Sequence, residues 1–266
     1  MLRFIAALFF CIPGFSALLF SFGIRLQQDL NVPIGLMHGS VGGTPSGYWL
    51  SEASYRGDDA VKAVVAAAPK YDAEKAKADL EKQILKWEKD TEAAKKDNKP
   101  LPRKPVLAVP PGESTGGIGN LYEKHIRPMQ PYSIRGVLWD QGESGTAVTA
   151  VDQFTLMGAL IKGWRKEWGQ EFTFIYVQKP SGQGCAFDPA DPVTAKADKF
   201  ESLPKDVPGD GASRDLHIRI MKHPNTFMAI ASDLGSGIHP SNKSGYGSRA
   251  ARVALGAVYD RGVEYY

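Results

Sequence analysis

The sequence is poor in the residues that build metal sites and disulfide frameworks. Only two cysteines occur in 266 residues, Cys11 and Cys185, and neither belongs to a CxxC pair, which excludes a disulfide scaffold and a cysteine-based metal centre. The five histidines are scattered, and His217 and His223 lack the four-residue step that would set two ligands on one helix face. No metal and no cofactor is expected. An excess of one charge is missing too. The net charge of +3 is too small to imply a polyanionic partner, and the lysines gathered in 70–104 are not interleaved with aromatics, so they read as a solvated helical face and not as a nucleic-acid site. Long hydrophobic runs are confined to the start of the chain. Met1 to Phe22 is strongly apolar behind a single Arg3, as in an export signal, yet it has no clear small-x-small cleavage site and is interrupted by Pro13-Gly14. The stretch before Pro13 is too short to span a bilayer, so no stable membrane insertion is expected.

What is present is an ordinary globular composition, 43% hydrophobic and 23% charged, long enough to bury a real core. Residues 1–13 read as a signal-like apolar segment and 14–266 as one domain, with 50–119 as a surface insertion. Phe15, Leu18, Leu19, Phe22, Leu26 and Leu30 recur at three- and four-residue steps and predict an amphipathic helix stopped by Asn31-Val32-Pro33. Pro33 to Met37 reads as a short buried strand running into a small-residue turn, Gly39 to Thr44. Residues 58–98 read as helical, with a narrow apolar stripe at Ala73, Ala76, Leu80, Ile84 and Trp87, and 99–119 as a loop.

Alternation of strand and helix then resumes. Strands are expected at 134–139, 172–177 and 227–231, and helices from about 149 and over 243–259, with 179–213 irregular. This order predicts an α/β fold with a mostly parallel sheet covered by helices on both faces. Chemistry in such sheets gathers at the carboxyl ends of the strands. Those ends hold Gly42-Gly43-Thr44, Gln141-Gly142-Glu143 and His239. An imidazole in a Gly/Ser loop can serve as a general base near neutral pH, or can simply hydrogen-bond within its loop. Gly42-Gly43 can let backbone N–H groups approach an oxyanion, or can form an ordinary tight turn. Gln141 can donate to a developing oxyanion and Glu143 can orient His239 or bind sugar hydroxyls; the same block also suits a helix cap.

Taken together, VPIGLMHGSVGGT, IRGVLWDQGESG and MAIASDLGSGIHPSNKSGYGSRAA, with FSALLFSFGIRLQQDLNVP ahead of them and ALIKGWRKEW…FTFIYVQ between them, resemble the sialate O-acetylesterase branch of the SGNH hydrolases. The resemblance covers about 14–50 and 117–260. It implies a three-layer α/β/α fold, export to a secreted or periplasmic location, and hydrolysis of acetyl esters on carbohydrates by a Ser nucleophile with a His base. By position it implies His239 as the base, Gly43 and Gln141 as oxyanion-hole members and Glu143 as an active-site carboxylate.

The departures are specific. No Gly-Gln-Ser-Asn block, which carries the family's nucleophile, occurs in the chain, and Met1 to Cys11 is unrelated to the family's lead-in. The carboxylate usual two or three residues before the histidine is replaced by Gly237 and Ser236, leaving Asp233 as the nearest acid; Asp140 follows Trp139 where an aromatic is more usual. Ser40, beside Gly42-Gly43, is the best internal substitute for the nucleophile although no GxSxG elbow surrounds it; Ser144 and Ser236 are weaker. The expectation is therefore an esterase by descent whose first strand, at the middle of the sheet, is missing, leaving unpaired edges and a marginally stable chain. The alternative is a non-catalytic carbohydrate-binding remnant of the same fold. A membrane-anchored surface protein would rest on Met1 to Phe22 alone.

Overall fold

The computed structural model describes residues 14–130, 132–141, 144–178, 211–231, 234, 239 and 242–265. The readings of 1–13, Glu143, Asp233 and Ser236 lie outside these residues. The first described element is α1, Ala17–Leu30. Ser16 caps it by accepting from the Leu19 N–H at 3.2 Å, and Asn31 ends it in the left-handed region at φ 53°, as the short polar side chain of asparagine tolerates. Its apolar stripe buries Leu18, Leu26 and Leu30.

Within 50–119, α2 (Glu52–Gly57) and α3 (Asp59–Ala67) are followed by the long α4 (Ala73–Lys96). The expected continuous helical region over 58–98 is broken because Ala68 precedes Pro69 and takes ψ 151°, the extended conformation that a following proline ring imposes. Leu50, Tyr55 and Val61 are buried in the main core. In contrast, α4 is exposed over most of its length, and Leu80, Ile84 and Trp87 of its stripe are half-buried.

Three strands, β1 (Gly136–Trp139), β2 (Thr173–Gln178) and β3 (Thr226–Ile230), pair in parallel in the order β1-β2-β3. Helices α5 (Gln153–Trp168), α6 (Gly211–Ile220) and α7 (Lys243–Ala257) connect and cover them. Side chains of a strand alternate between faces, and the two cores follow that alternation. Phe174 and Tyr176 pack with Leu156, Leu160 and Trp164 of α5, whereas Ile175 and Ala229 pack with α1 and α7 through Leu26, Ala250 and Ala254. All six residues of β2 are buried, as a central parallel strand requires. Strand β1 is less covered: Gly136 is exposed and Val137 and Leu138 are half-buried.

Two expectations are corrected. Pro33 to Met37 forms no strand; Pro33, Gly35 and Met37 are exposed, while Ile34 and Leu36 are half-buried. The period-two alternation survives, but the segment has no ladder partner, and among the described residues no backbone hydrogen bond joins 32–43 to other main chain. Helix α6 falls in and beyond a stretch expected to be irregular, since only Leu216 and Ile220 of its apolar residues turn inward and Ile218 is 50% exposed.

Candidate active site

A cleft of about 900 Å³ opens at the β1 edge of the sheet. One side is the segment 33–41 and the other is 133–141. Leu18, Phe22 and Leu26 of α1 line one layer, and Trp49 and Trp164 line the opposite one. Its upper rim is polar and holds His38, Ser40, Thr44, Asp140 and Gln141. This rim lies at the carboxyl end of β1, where parallel sheets place ligands.

His38 and Ser40 form a side-chain hydrogen bond between Nε2 and Oγ. With Nδ1 protonated, the serine hydroxyl donates to the imidazole, the geometry in which a base accepts a nucleophile's proton. The edge-on contact of the Phe15 ring with His38, centroids 5.4 Å apart, steadies the imidazole. The reading of the sequence passes over His38. A signal exists there, because residues two apart on an extended segment point to the same side.

The glycine turn lies beside this pair. Gly43 adopts φ 71°, where a Cβ would be strained, and Thr44 Oγ1 closes the turn by donating to the Val41 carbonyl at 2.7 Å. Trp49 Nε1 donates in turn to Thr44 Oγ1 at 3.0 Å. Among the described residues the N–H groups of Gly42 and Gly43 donate no backbone hydrogen bond. Gln141 is a strut: its Nε2 donates to the Thr44 carbonyl at 3.2 Å and faces the Gly145 carbonyl at 3.5 Å. The Ser46 N–H bonds the same Gly145 carbonyl at 3.0 Å. These bonds tie Thr44 and Ser46 to Gln141 and Gly145, so Ser40, Thr44 and Gln141 line one end of the cleft, with Gly42 and Gly43 in the turn between Val41 and Thr44.

His239 is exposed and does not line the cleft. Glu143 and Asp233 lie outside the described residues. Two histidines elsewhere serve packing: buried His217 bonds the Ser213 carbonyl through Nδ1 at 2.7 Å, and half-buried His223 stacks on Phe154. Among the described residues no group of three His, Cys, Asp or Glu side chains could hold a metal ion, and no helix is long and apolar enough to cross a membrane.

No protein-family model matches the chain. It is 31% identical over 262 aligned positions to the sialate O-acetylesterase of Rattus norvegicus, covering 91% of this chain. The chain is a distant homologue of the sialate O-acetylesterases. The Mus musculus sialate O-acetylesterase is 29% identical and the Homo sapiens one 28%, each over 91% of this chain. A solved carbohydrate acetylesterase from Xanthomonas citri superposes with TM-score 0.54 and 26% identity, covering 92% of this chain and 42% of that structure. The chain spans 42% of the rat and mouse sialate O-acetylesterases and 38% of the human one.

Proposed function

We propose that this cleft hydrolyses O-acetyl esters carried on carbohydrates by a Ser/His mechanism, on the three-layer frame of the SGNH hydrolases. The observation that carries the reading is the hydrogen bond between Ser40 and His38 at the rim of the cleft, in a chain homologous to acetylesterases. In this reading a serine Oγ attacks the acetyl carbonyl while an imidazole takes its proton. The imidazole returns the proton to the departing sugar oxygen, and water then releases acetate from the acyl-serine. The N–H groups of Gly42 and Gly43 are the proposed oxyanion donors. Gln141 joins them only by exchanging a carbonyl partner for the oxyanion. His239 is retained as the base that the resemblance implies, with Glu143 and Asp233 as its candidate carboxylates, and His38 is the alternative base in contact with Ser40.

The test is hydrolysis of p-nitrophenyl acetate and of an O-acetylated monosaccharide by the purified chain, beside Ser40→Ala, His38→Ala and His239→Ala. A positioned base contributes roughly 10²- to 10⁴-fold, so the variant lacking the true base loses at least about a hundredfold. Turnover by wild type with adduct formation at Ser40 by a serine-directed phosphonate supports the reading. Absence of both, with retained binding of the acetylated sugar, leaves the carbohydrate-binding remnant as the function.

A further inference from the structure

The insertion 50–119 carries a hairpin arm whose end is charged unlike the rest of the chain, and we propose that this end docks peripherally on an anionic lipid surface. The inference is independent of the esterase reading. Helix α4, 24 residues long, extends about 36 Å, and no other helix or strand of the described residues packs extensively against it. Its cover is the proline-rich segment 99–109, which returns antiparallel along it. Trp87 Nε1 donates to the Pro102 carbonyl toward the far end, and the Tyr71 hydroxyl donates to the Ala108 carbonyl at the base, each at 2.8 Å. The reversal is fixed by its main chain. Asn98 takes φ 52°, and the Asp97 and Lys99 N–H groups bond the Ala93 and Ala94 carbonyls at 3.0 and 2.9 Å. The arm therefore has a defined tip at 93–104.

Charge is segregated along this hairpin. The shaft, 73–92, carries five basic and six acidic residues, whereas the tip carries five basic residues and a single acidic one, Asp97. The +4 of the tip exceeds the +3 of the whole chain. Shaft lysines pair with neighbours, Lys77 with Glu74 at 2.9 Å and Lys82 with Asp79 at 3.8 Å. At the tip Lys99 pairs with Asp97 at 2.9 Å. Lys95, Lys96, Arg103 and Lys104 are exposed and have no carboxylate within 4 Å among the described residues. Lysines in the last turn of a helix offset its dipole, which accounts for Lys95 and Lys96. Arg103 and Lys104 lie beyond the helix, and the Lys104 ammonium rests 5.6 Å from the centroid of the Trp87 ring, so their charge is left for an external anion.

The form of the tip favours a flat surface over a polymer. A flexible polyanion is held by a basic groove lined with open aromatic platforms. The indole of the arm offers no such platform: Trp87 is half-buried, its N–H is engaged by the Pro102 carbonyl, and Lys104 lies over its ring. The end of a hairpin instead presents its cations together to a plane. Leu101, two residues before Arg103, is 58% exposed. Such a side chain can enter the headgroup layer while long basic side chains keep their charges at its surface. Each basic residue held near an anionic bilayer strengthens binding by roughly fivefold, so four uncompensated cations and one leucine suffice for reversible docking.

The test is co-sedimentation of the full chain with vesicles of phosphatidylcholine alone and of phosphatidylcholine containing about a quarter phosphatidylglycerol, at about 0.1 M salt. Binding to the anionic vesicles is expected to exceed binding to the neutral ones by at least about tenfold, and to fall toward the neutral level near ~1 M salt. Exchanging Lys95, Lys96 and Arg103 together for glutamine should weaken it on the order of a hundredfold, and Leu101→Ser about tenfold. The control is Lys75→Gln with Lys77→Gln and Lys82→Gln, which removes equal charge about 20 Å or more from Lys95 along the helix, beyond the screening length of ~10 Å. It should change binding by less than about threefold. Circular dichroism checks that every variant keeps its helix content. Equal binding to neutral and anionic vesicles, or an equal loss in the shaft variant, would overturn the proposal. Heparin retention that the tip exchanges abolish, without preference for anionic vesicles, would assign the tip to a polymeric polyanion instead. None of these readouts depends on esterase activity.

Discussion

Replacing Gly247 by alanine tests the packing that sets one wall of the cleft. Gly247 is buried in α7 where that helix crosses α1, in a seam of small residues with Ala250, Ala251 and Ala254. A Cβ added there would press on the Ser21 Cβ and lie 2.5 Å from the Phe22 nitrogen and 2.6 Å from the Ser21 carbonyl carbon. Two opposing effects compete. Alanine gains about 1 kcal/mol of helix propensity over glycine. Overpacking costs about 1–3 kcal/mol and more where the neighbour is main chain that cannot rotate away. Two of the three contacts are backbone atoms, so the upper end applies and the helices must separate by about 1 Å, forfeiting a quarter to a half of each affected contact's attraction. The expected net loss is ~2–3 kcal/mol, a fall in Tm of about 4–12 °C for a chain of this size, measured by urea and thermal unfolding. Gly57→Ala is the control: it sits at the end of α2 with nothing within 4 Å of the added carbon, and it should be neutral or stabilising by up to ~1 kcal/mol. A Gly247→Ala protein as stable as wild type would refute the close approach of α1 and α7, and with it the placement of Phe22 against the cleft.

Two further predictions concern the frame. Arg165 is 5% exposed and its guanidinium donates to the carbonyls of Phe172, Pro224 and Asn225 at 2.9–3.0 Å; Arg165→Met should cost ~2–4 kcal/mol by urea unfolding, and Arg165→Lys should recover only part, because one ammonium cannot span three acceptors. Burial pushes the His223 imidazole below its ordinary pKa, against the opposing bond to the Phe154 carbonyl, so the unfolded chain binds the proton first and stability falls as pH drops below the unfolded value of about 6.5. His223→Gln should flatten the dependence of Tm on pH between about 5 and 7.5, whereas an unchanged slope would assign it to other groups.

The parts of the fold legible in the sequence are those whose pattern is enforced locally. The stripe from Leu18 to Leu30, the strands around 136–139, 173–178 and 226–230, and α7 all follow from spacing, because each buries one face or both against neighbours present in the chain. The strand expected at 33–37 fails for a non-local reason. Its alternation turns Ile34 and Leu36 inward as a strand would, yet a strand exists only through its neighbour's backbone, and the segment faces the cleft. Local pattern specifies which side chains face inward; a ladder also needs a partner, and none of the described residues supplies one.

The same distinction governs the site. Gly43 is readable as a turn because φ 71° admits few residues other than glycine, and the two loops that Gln141 joins are readable as strand ends. The His38–Ser40 contact is hidden in the sequence because a turn beginning at Gly39 would separate two side chains that an extended backbone keeps on one face. Gln141 shows the reverse. Its amide chemistry suits an oxyanion, but in the folded chain its donors meet the Thr44 and Gly145 carbonyls, so residue type identifies a donor and only geometry reveals that it is engaged. A site assembled from loop residues therefore depends on the strands that carry those loops. Gln141 reaches an oxyanion only if it gives up the Thr44 carbonyl, so a Gln141→Ala variant that leaves turnover unchanged would assign it to the frame alone.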